Sequence, residues 1–274
     1  MNYSEPVFRP PAEAASLIVQ LTEGCRFNRC RFCAMYKQKR FRVRTAEEVA
    51  SHLDWLAGVT PPTARCFIGD GDALCLDTDR LRAVMTDIRR RFPAVRRFGV
   101  YGSPRQVLDK GPDDLKRLRA AGLAFIYLGY ESGSEAVLAA MNKPCSFSEM
   151  VRSGRMVRDA RIKLSATFII GLGGKQKRAE HIDHSTALIN AAVPAYTSLL
   201  ALMPQGTPLR DDPEYNQAGY EEYVAELTGF VSGINGRTVF RANHASNALP
   251  LEGRFPRDRE RLLAEISHAG RGLL

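Results

Sequence analysis

Apolar and β-branched residues concentrate in short runs at 16–21, 65–68, 97–101, 124–129, 163–170 and 195–203, and these predict strands. Between the runs, apolar positions recur at helical spacing over 46–56, 78–91, 112–121, 135–141, 146–160 and 175–192, which predicts helices. Strands that alternate with helices in this way build right-handed βαβ units around a parallel sheet. Six such strands rather than eight predict an open structure, so the expected fold is α/β, a partial (β/α)6 TIM-like barrel. Past Pro204 the alternation weakens into turn-rich chain that ends in an amphipathic helix near 256–268, read as a C-terminal capping segment. The expected division is an N-terminal extension over 1–15, a barrel core over 16–203 and a cap over 204–274.

Composition supports one packed body, since 45% of the 274 residues are hydrophobic and 25% are charged. The longest apolar runs, 164–170 and 198–203, are far shorter than the roughly 18 residues a membrane-spanning helix needs. The first 15 residues carry Glu5, Arg9 and Glu13 and no apolar stretch, so they do not read as a secretory signal. The expectation is a cytoplasmic protein with reduced thiols, in which six cysteines are metal ligands or buried thiols rather than disulfides. The formal charge of +9 is unevenly placed: residues 26–44 hold eight Arg or Lys and no acid. That basic stretch overlaps a cluster of cysteines.

The first predicted strand runs directly into Gly24-Cys25-Arg26-Phe27-Asn28-Arg29-Cys30-Arg31-Phe32-Cys33, with four residues between the first two cysteines and two between the last pair. A loop this short can aim three thiolates at one point, as metal or iron–sulfur chelation requires. A structural zinc site wants four ligands, and no fourth cysteine follows within the next thirty residues. A [4Fe–4S] cluster on three thiolates leaves one iron open to a small molecule. Zinc binding and inert core cysteines are the other readings of the same spacing.

This loop resembles the cluster loop of the radical S-adenosylmethionine (radical SAM) superfamily, whose usual spacing is three residues and then two, with an aromatic before the third cysteine. Phe32 fills the aromatic place, and the extra residue in the first gap is a spacing that also occurs in the Elp3-like branch. Further motifs follow successive predicted strands. Gly69-Asp70-Gly71-Asp72 looks like the family's Gly-Gly-Glu-Pro stretch, although by itself it also reads as an acidic turn. Leu128-Gly129-Tyr130-Glu131-Ser132-Gly133-Ser134 resembles the segment that presents polar groups to the ribose and methionyl parts of SAM. The same residues also form a helix N-cap pattern, Ser132 or Ser134 before Glu135. Phe168-Ile169-Ile170-Gly171-Leu172-Gly173-Gly174 resembles the strand end whose backbone reads adenine. The resemblance spans roughly 16–203 and is nearest to compact members of the Elp3/MiaB/NifB-like and HemN-like portion, without acetyltransferase, cobalamin or extra-cluster domains.

The resemblance implies an enzyme with two cofactors, a [4Fe–4S] cluster and SAM. It implies that Cys25, Cys30 and Cys33 ligate iron and that Asp72 with the Gly71 backbone holds the methionyl ammonium. Glu131 with Ser132 would take the ribose side, Phe32 and Gly171 would border the adenine, and Arg158 and Lys163 are candidates for the methionyl carboxylate. A small acidic electron donor, a flavodoxin or ferredoxin, would dock on the basic stretch. Tyr36, Tyr101, Arg105, Tyr130 and His244 are candidates for lining the substrate cavity, and the polar run 243–247 for closing it. Cys145 is a candidate radical-quenching thiol, and Tyr36 and His244 are the other candidate catalytic groups. Two further readings of the basic stretch stay open: an RNA-modifying radical SAM enzyme, or a non-enzymatic zinc- or cluster-stabilised RNA-binding module.

Overall fold

A computed structural model describes residues 3–143 and 145–271, so the first two residues of the extension and the last three of the cap lie outside it. The chain packs as two compact units. One consists of Met1–Asn28, Met35–Leu128 and Met156–Lys163, the other of Arg29–Ala34, Gly129–Arg155 and Leu164–Leu274.

The first unit is built from β1 (Leu17–Gln20), β2 (Thr22–Glu23), β3 (Arg42–Val43), α1 (Ala46–Val59), β4 (Arg65–Gly69), α2 (Thr78–Arg91), β5 (Arg97–Gly102), α3 (Pro104–Ala120) and most of β6 (Leu123–Glu131). β1, β4, β5 and β6 are parallel neighbours in that order, with Gln20 opposite Gly69 and Ile68 opposite Val100. Parallel registry brings the loops that leave β1 and β4 out side by side, which places the Cys25 loop next to the Asp70–Asp72 turn. Each helix starts where the sequence supplies a cap. Thr45 accepts the Glu48 N–H while Glu48 returns to the Thr45 N–H, and α1 then buries Val49, His52, Leu53 and Leu56. Asp77 caps α2, whose buried Leu81, Met85 and Ile88 share one face.

α3 is longer than the predicted 112–121. It begins at Pro104 and is interrupted at Gly111, where φ is +71°, a backbone conformation that glycine adopts without penalty. Pro112 then restarts the helix in the position proline favours, which is why the periodicity alone found the second half.

The second unit holds α4 (Glu135–Ala140), the first part of α5 (Phe147–Asp159), β7 (Lys163–Ile170), α6 (Arg178–Ala192), β8 (Tyr196–Ala201), α7 (Tyr220–Gly233), β9 (Val239–Ala242), β10 (Leu251–Arg254) and α8 (Arg259–Arg271). β7, β8 and β9 are parallel neighbours with Ile170 opposite Ala201 and Ser198 opposite Arg241, and β10 closes antiparallel on β9. The chain beyond residue 204 is therefore more regular than its pattern predicts. β9 and β10 have only four residues each, and the apolar positions of β10 alternate with Glu252 and Arg254, so neither reads as a strand without its partner. α7 buries Glu226 together with Tyr223, Leu227, Phe230 and Val231, and the 223/227/230/231 spacing is the signal that could have found it.

Candidate active site

In the first unit, the loop carrying Cys25 is anchored by a buried carboxylate. Asp70 is 0% exposed, and its Oδ2 accepts from Gly24 N–H at 3.3 Å, Gln20 Nε2 at 3.2 Å and Lys39 Nζ at 3.1 Å. Gly24 has φ +76° and Asn28 φ +44°, and the Asn28 amide donates to Tyr36 O at 2.7 Å and Lys39 O at 3.3 Å, which folds the loop back on the 36–39 segment. Tyr36 is buried against Gly71 so closely that a Cβ at position 71 would lie 2.5 Å from its ring. Its hydroxyl makes no hydrogen bond, and burial, reinforced by Asp70, raises its pKa well above the ordinary phenol value. Tyr36 thus packs the floor of this turn as a neutral phenol.

Asp72 is also buried, and it accepts a hydrogen bond from Gln106 Nε2 at 3.1 Å. Burial pushes its carboxyl up to about 7, against a smaller opposing pull from Arg26. A carboxylate so poorly solvated gains much from a cation. Tyr101 sits edge-on to Phe67, and Arg105 pairs with Asp109 one turn along its helix. His52, which follows Cys33 by nineteen residues, is buried under α1 with its Nε2 accepting from Gln20 N–H at 3.3 Å.

In the second unit, Phe32 lies in a buried cluster with Val137, Met141, Leu172 and Leu209, and Cys30 and Cys33 pack against it. Lys143, a residue the sequence did not single out, donates to Gly129 O at 2.7 Å and to Glu131 Oε1 at 2.8 Å. Burial opposes its charge, but Glu131 and Cys30 outweigh that and raise its pKa. Glu131 is therefore already paired, and its left-handed φ of +67° turns the chain out of β6. Ser132 bonds His181 Nδ1 at 2.8 Å, and it is Ser134 that caps α4 by accepting from Val137 N–H at 3.1 Å.

At the end of β7, Gly171 has φ +87°, and both of its backbone groups have partners within the unit. Its N–H donates to Glu226 Oε2 at 2.8 Å, and its carbonyl accepts from the Tyr215 hydroxyl at 2.6 Å. Glu226 is fully buried, leaves Oε1 without a partner, and is pushed up to about 7 by burial. His181 lies 3.8 Å away and burial lowers it to about 4, so it is neutral at ordinary pH. The polar run 243–247 sits at the C-terminal end of β8: Asn247 accepts from Ala201 N–H at 2.7 Å and donates to Leu199 O at 2.8 Å. His244 Nδ1 lies 3.1 Å from Ser246 N and 2.8 Å from Ser246 Oγ, which holds its ring against this turn.

Several expectations are corrected by these contacts. Tyr130 does not line a cavity; it is buried, and its hydroxyl donates to Met150 O at 2.9 Å. Arg158 pairs with its neighbour Asp159 on an exposed surface, and Lys163 is the first residue of β7, 5.4 Å from the Phe125 ring centroid. Both sit where the chain enters β7, the opposite end of that strand from Gly171, so the methionyl-carboxylate role does not fit them. For Cys145, burial raises the thiol to about 11 and so keeps it in the protonated form, the form that a hydrogen-atom donor needs. The basic stretch is largely satisfied within the chain. Lys39 is bound to Asp70, Arg42 to Glu23 and Glu48, Arg44 to Glu23 and Gln20, and Arg31 to Asp212.

Cys25 belongs to the first unit and Cys30 and Cys33 to the second, and all three are half-buried cysteines outside any disulfide. Among the described residues no three Cys, His, Asp or Glu side chains stand together as a ready metal site.

Residues 19–184 match the radical SAM superfamily, and the chain belongs to that superfamily. It is 27% identical over 179 residues to the anaerobic magnesium-protoporphyrin IX monomethyl ester cyclase of Cereibacter sphaeroides, a match that covers 65% of this chain and 28% of the cyclase. Its fold is similar to that of methylornithine synthase, with TM-score 0.55 and 14% identity over 93% of this chain and 81% of that one. It is also similar to coproporphyrinogen III oxidase of Escherichia coli, a radical SAM enzyme, with TM-score 0.61 and 16% identity over 79% of this chain and 51% of that one. The fold is thus the α/β partial barrel that the strand and helix pattern predicts. The class is enzymatic, and its cofactors are a [4Fe–4S] cluster and SAM. The residues present suit both. The donors are three cysteine thiols on one loop, and Asp72 is a buried acceptor that takes a side-chain hydrogen bond from Gln106.

Proposed function

We propose that the chain is a radical SAM enzyme that holds its cluster through Cys25, Cys30 and Cys33 and its SAM through Asp72, the Gly71 backbone and Glu131. When bound, the two cofactors together supply one-electron cleavage of the sulfonium and a 5′-deoxyadenosyl radical able to take hydrogen from a substrate. The observation that carries the reading is the registry of β1 with β4, which sets the Cys25 loop beside the Asp70–Asp72 turn and ties the two through Gly24 N–H and Asp70.

The protein's part is binding, orientation and exclusion of water. Asp72, raised by burial, has no strong partner of its own and prefers a cation as its neighbour. Glu131, held by Lys143, keeps further acceptor capacity for hydroxyls, since a carboxylate has about four lone-pair sites. Phe32 and Gly171 border the adenine, with Phe32 backed by the buried Val137, Met141, Leu172 and Leu209. Residues 204–274, with the turn 243–247 at the end of β8, form the substrate side. A small acidic one-electron donor completes the system, and the activity extends to no named substrate.

The test is anaerobic reconstitution. We expect about four irons and four sulfides per chain and 5′-deoxyadenosine on reduction with SAM, with both lost in Cys30→Ala. A Cys30→Ala protein that keeps a full cluster and forms 5′-deoxyadenosine normally overturns the assignment.

A further inference from the structure

Residues 24–34, which carry all three clustered cysteines, contain turns and bends but no helix or strand, so the course of this loop is decided by what it touches. In the second unit its Arg29–Phe32 part meets residues 140–143, the last residue of α4 and the start of the link to α5. Arg31 N–H donates to Met141 O at 3.0 Å, and Arg31 Nη1 donates to Ala140 O at 3.0 Å. The Asn142 side-chain amide donates to Arg29 O at 3.0 Å, and Lys143 Nζ lies 5.8 Å from the centroid of the Phe32 ring. Asn142 makes this possible by adopting φ +50°, a left-handed conformation that asparagine tolerates better than most residues. Lys143 directs its other hydrogen bonds to Gly129 O and Glu131, so the same four-residue link also fixes the end of β6.

We infer that Asn142 and Lys143 are positioning residues of the cysteine loop: the 140–143 link sets how Cys30 and Cys33 present their thiols, and Lys143 holds Glu131 in step with them. Arg29 and Arg31 bracket Cys30, and Arg31 and Phe32 fill the gap between Cys30 and Cys33, so the contacts bear on the residues that flank both thiols. The inference rests on the reading that these cysteines carry the cluster. It adds that their placement is imposed by a segment more than a hundred residues away in sequence.

Two measurements test it. In cluster-free protein, alkylation of Cys30 and Cys33 relative to Cys25 is followed by peptide mass analysis for wild type, Asn142→Gly, Asn142→Asp, Lys143→Gln and Lys143→Arg. Asn142→Gly keeps the left-handed conformation but removes the amide, and Asn142→Asp keeps the shape but cannot donate. Each is expected to speed alkylation at Cys30 and Cys33 about threefold to tenfold, the effect of one lost hydrogen bond. Alkylation of the fully buried Cys66 reports any general unfolding. In reconstituted protein, iron loss to a chelator should accelerate and the reduced-cluster resonance should shift or broaden in Asn142→Gly and Lys143→Gln, with Lys143→Arg close to wild type. Wild-type alkylation, iron loss and resonance in both variants would overturn the inference. If wild type itself takes up no iron–sulfur cluster, the cluster reading fails, and the alkylation arm alone decides whether the link positions the loop.

Discussion

Lys39 places its ammonium 3.1 Å from the Asp70 carboxylate, with 8% of the lysine side chain and none of the aspartate exposed. Lys39 also donates to Pro6 O at 2.7 Å. A residue that belongs in sequence to the basic stretch 26–44 is thus an internal strut under the Cys25 loop. Lys39→Met leaves Asp70 as a buried charge without its cation, a change that typically costs about 3–5 kcal/mol. The melting temperature should fall by roughly 10 °C, while Arg40→Gln, at an exposed position, should leave it unchanged. A Lys39→Met protein as stable as wild type would show that the pair contributes nothing.

Electron-donor docking has to be probed with charges that remain outside. Lys37 and Arg40 are exposed in the same stretch. Neutralising these two and leaving Lys39 in place should slow flavodoxin-driven SAM cleavage several-fold at low salt and leave dithionite-driven cleavage unaffected. Equal flavodoxin rates for variant and wild type at two ionic strengths would remove the docking surface from this face.

Asp72→Asn should keep its iron but bind SAM about ten- to a hundredfold more weakly, the worth of one charged hydrogen bond. Because burial lifts the Asp72 carboxyl from 3.8 to about 7 in the ligand-free site, the charged form is lost as pH falls through 7. Wild-type affinity for SAM should therefore weaken from pH 8 to pH 6, and the asparagine variant should show a flat profile. Parallel profiles for the two proteins would place the titrating group elsewhere.

Gly71→Ala is expected to be severe for its size. The added Cβ would meet the Tyr36 ring at 2.5 Å, and the ring is wedged edge-to-face against Phe8 at 5.2 Å between centroids. Either the turn or Tyr36 must move, so SAM affinity should drop by at least tenfold, about 1.4 kcal/mol. Combining the change with Tyr36→Leu should recover part of it. No recovery in the double variant would point to the backbone of residue 71 itself.

Glu226 gives the protein a stability that depends on pH in an uncommon direction. Its carboxyl is lifted from 4.5 to about 7 by burial, so the folded chain keeps a proton that the unfolded chain releases across that interval. Stability from this group accordingly falls as pH rises from about 4.5 to 7 and stays low above it. Glu226→Gln should match wild type at pH 5 and exceed it at pH 8 by on the order of 2 kcal/mol, read by denaturant unfolding. A variant destabilised equally at both pH values would show that the Gly171 hydrogen bond, not the charge, dominates.

The cysteine loop was legible in the sequence because its chemistry depends on spacing along the chain, which folding does not alter. β1, β4, β5, β6, β7 and β8 were legible because each is an apolar run between turn residues. The groups that escaped share one property: their meaning lies in a partner remote in sequence. Nothing local marks Lys143 as the partner of Glu131, or Glu226 as the acceptor for Gly171 fifty-five residues earlier. Misreadings follow the same logic. Tyr130 and Lys39 are polar, which suggested a cavity and a surface, yet Met150 O and Asp70 satisfy them inside. Polar residues also blur α6, whose buried face carries His181, Ser185 and Thr186 beside Leu188 and Ile189.

β9 lies against β8 over Tyr196, Thr197 and Ser198, and Phe240 behind that seam is fully buried. The segment that supplies β9 is therefore the guard of a raw sheet edge. A chain cut after Met203 would present the unpaired N–H and C=O groups of β8 to any other copy in solution, together with the apolar surface that Phe240 had covered. Such an edge is a template for strand pairing between molecules, so the cut protein would clump before it could be assayed.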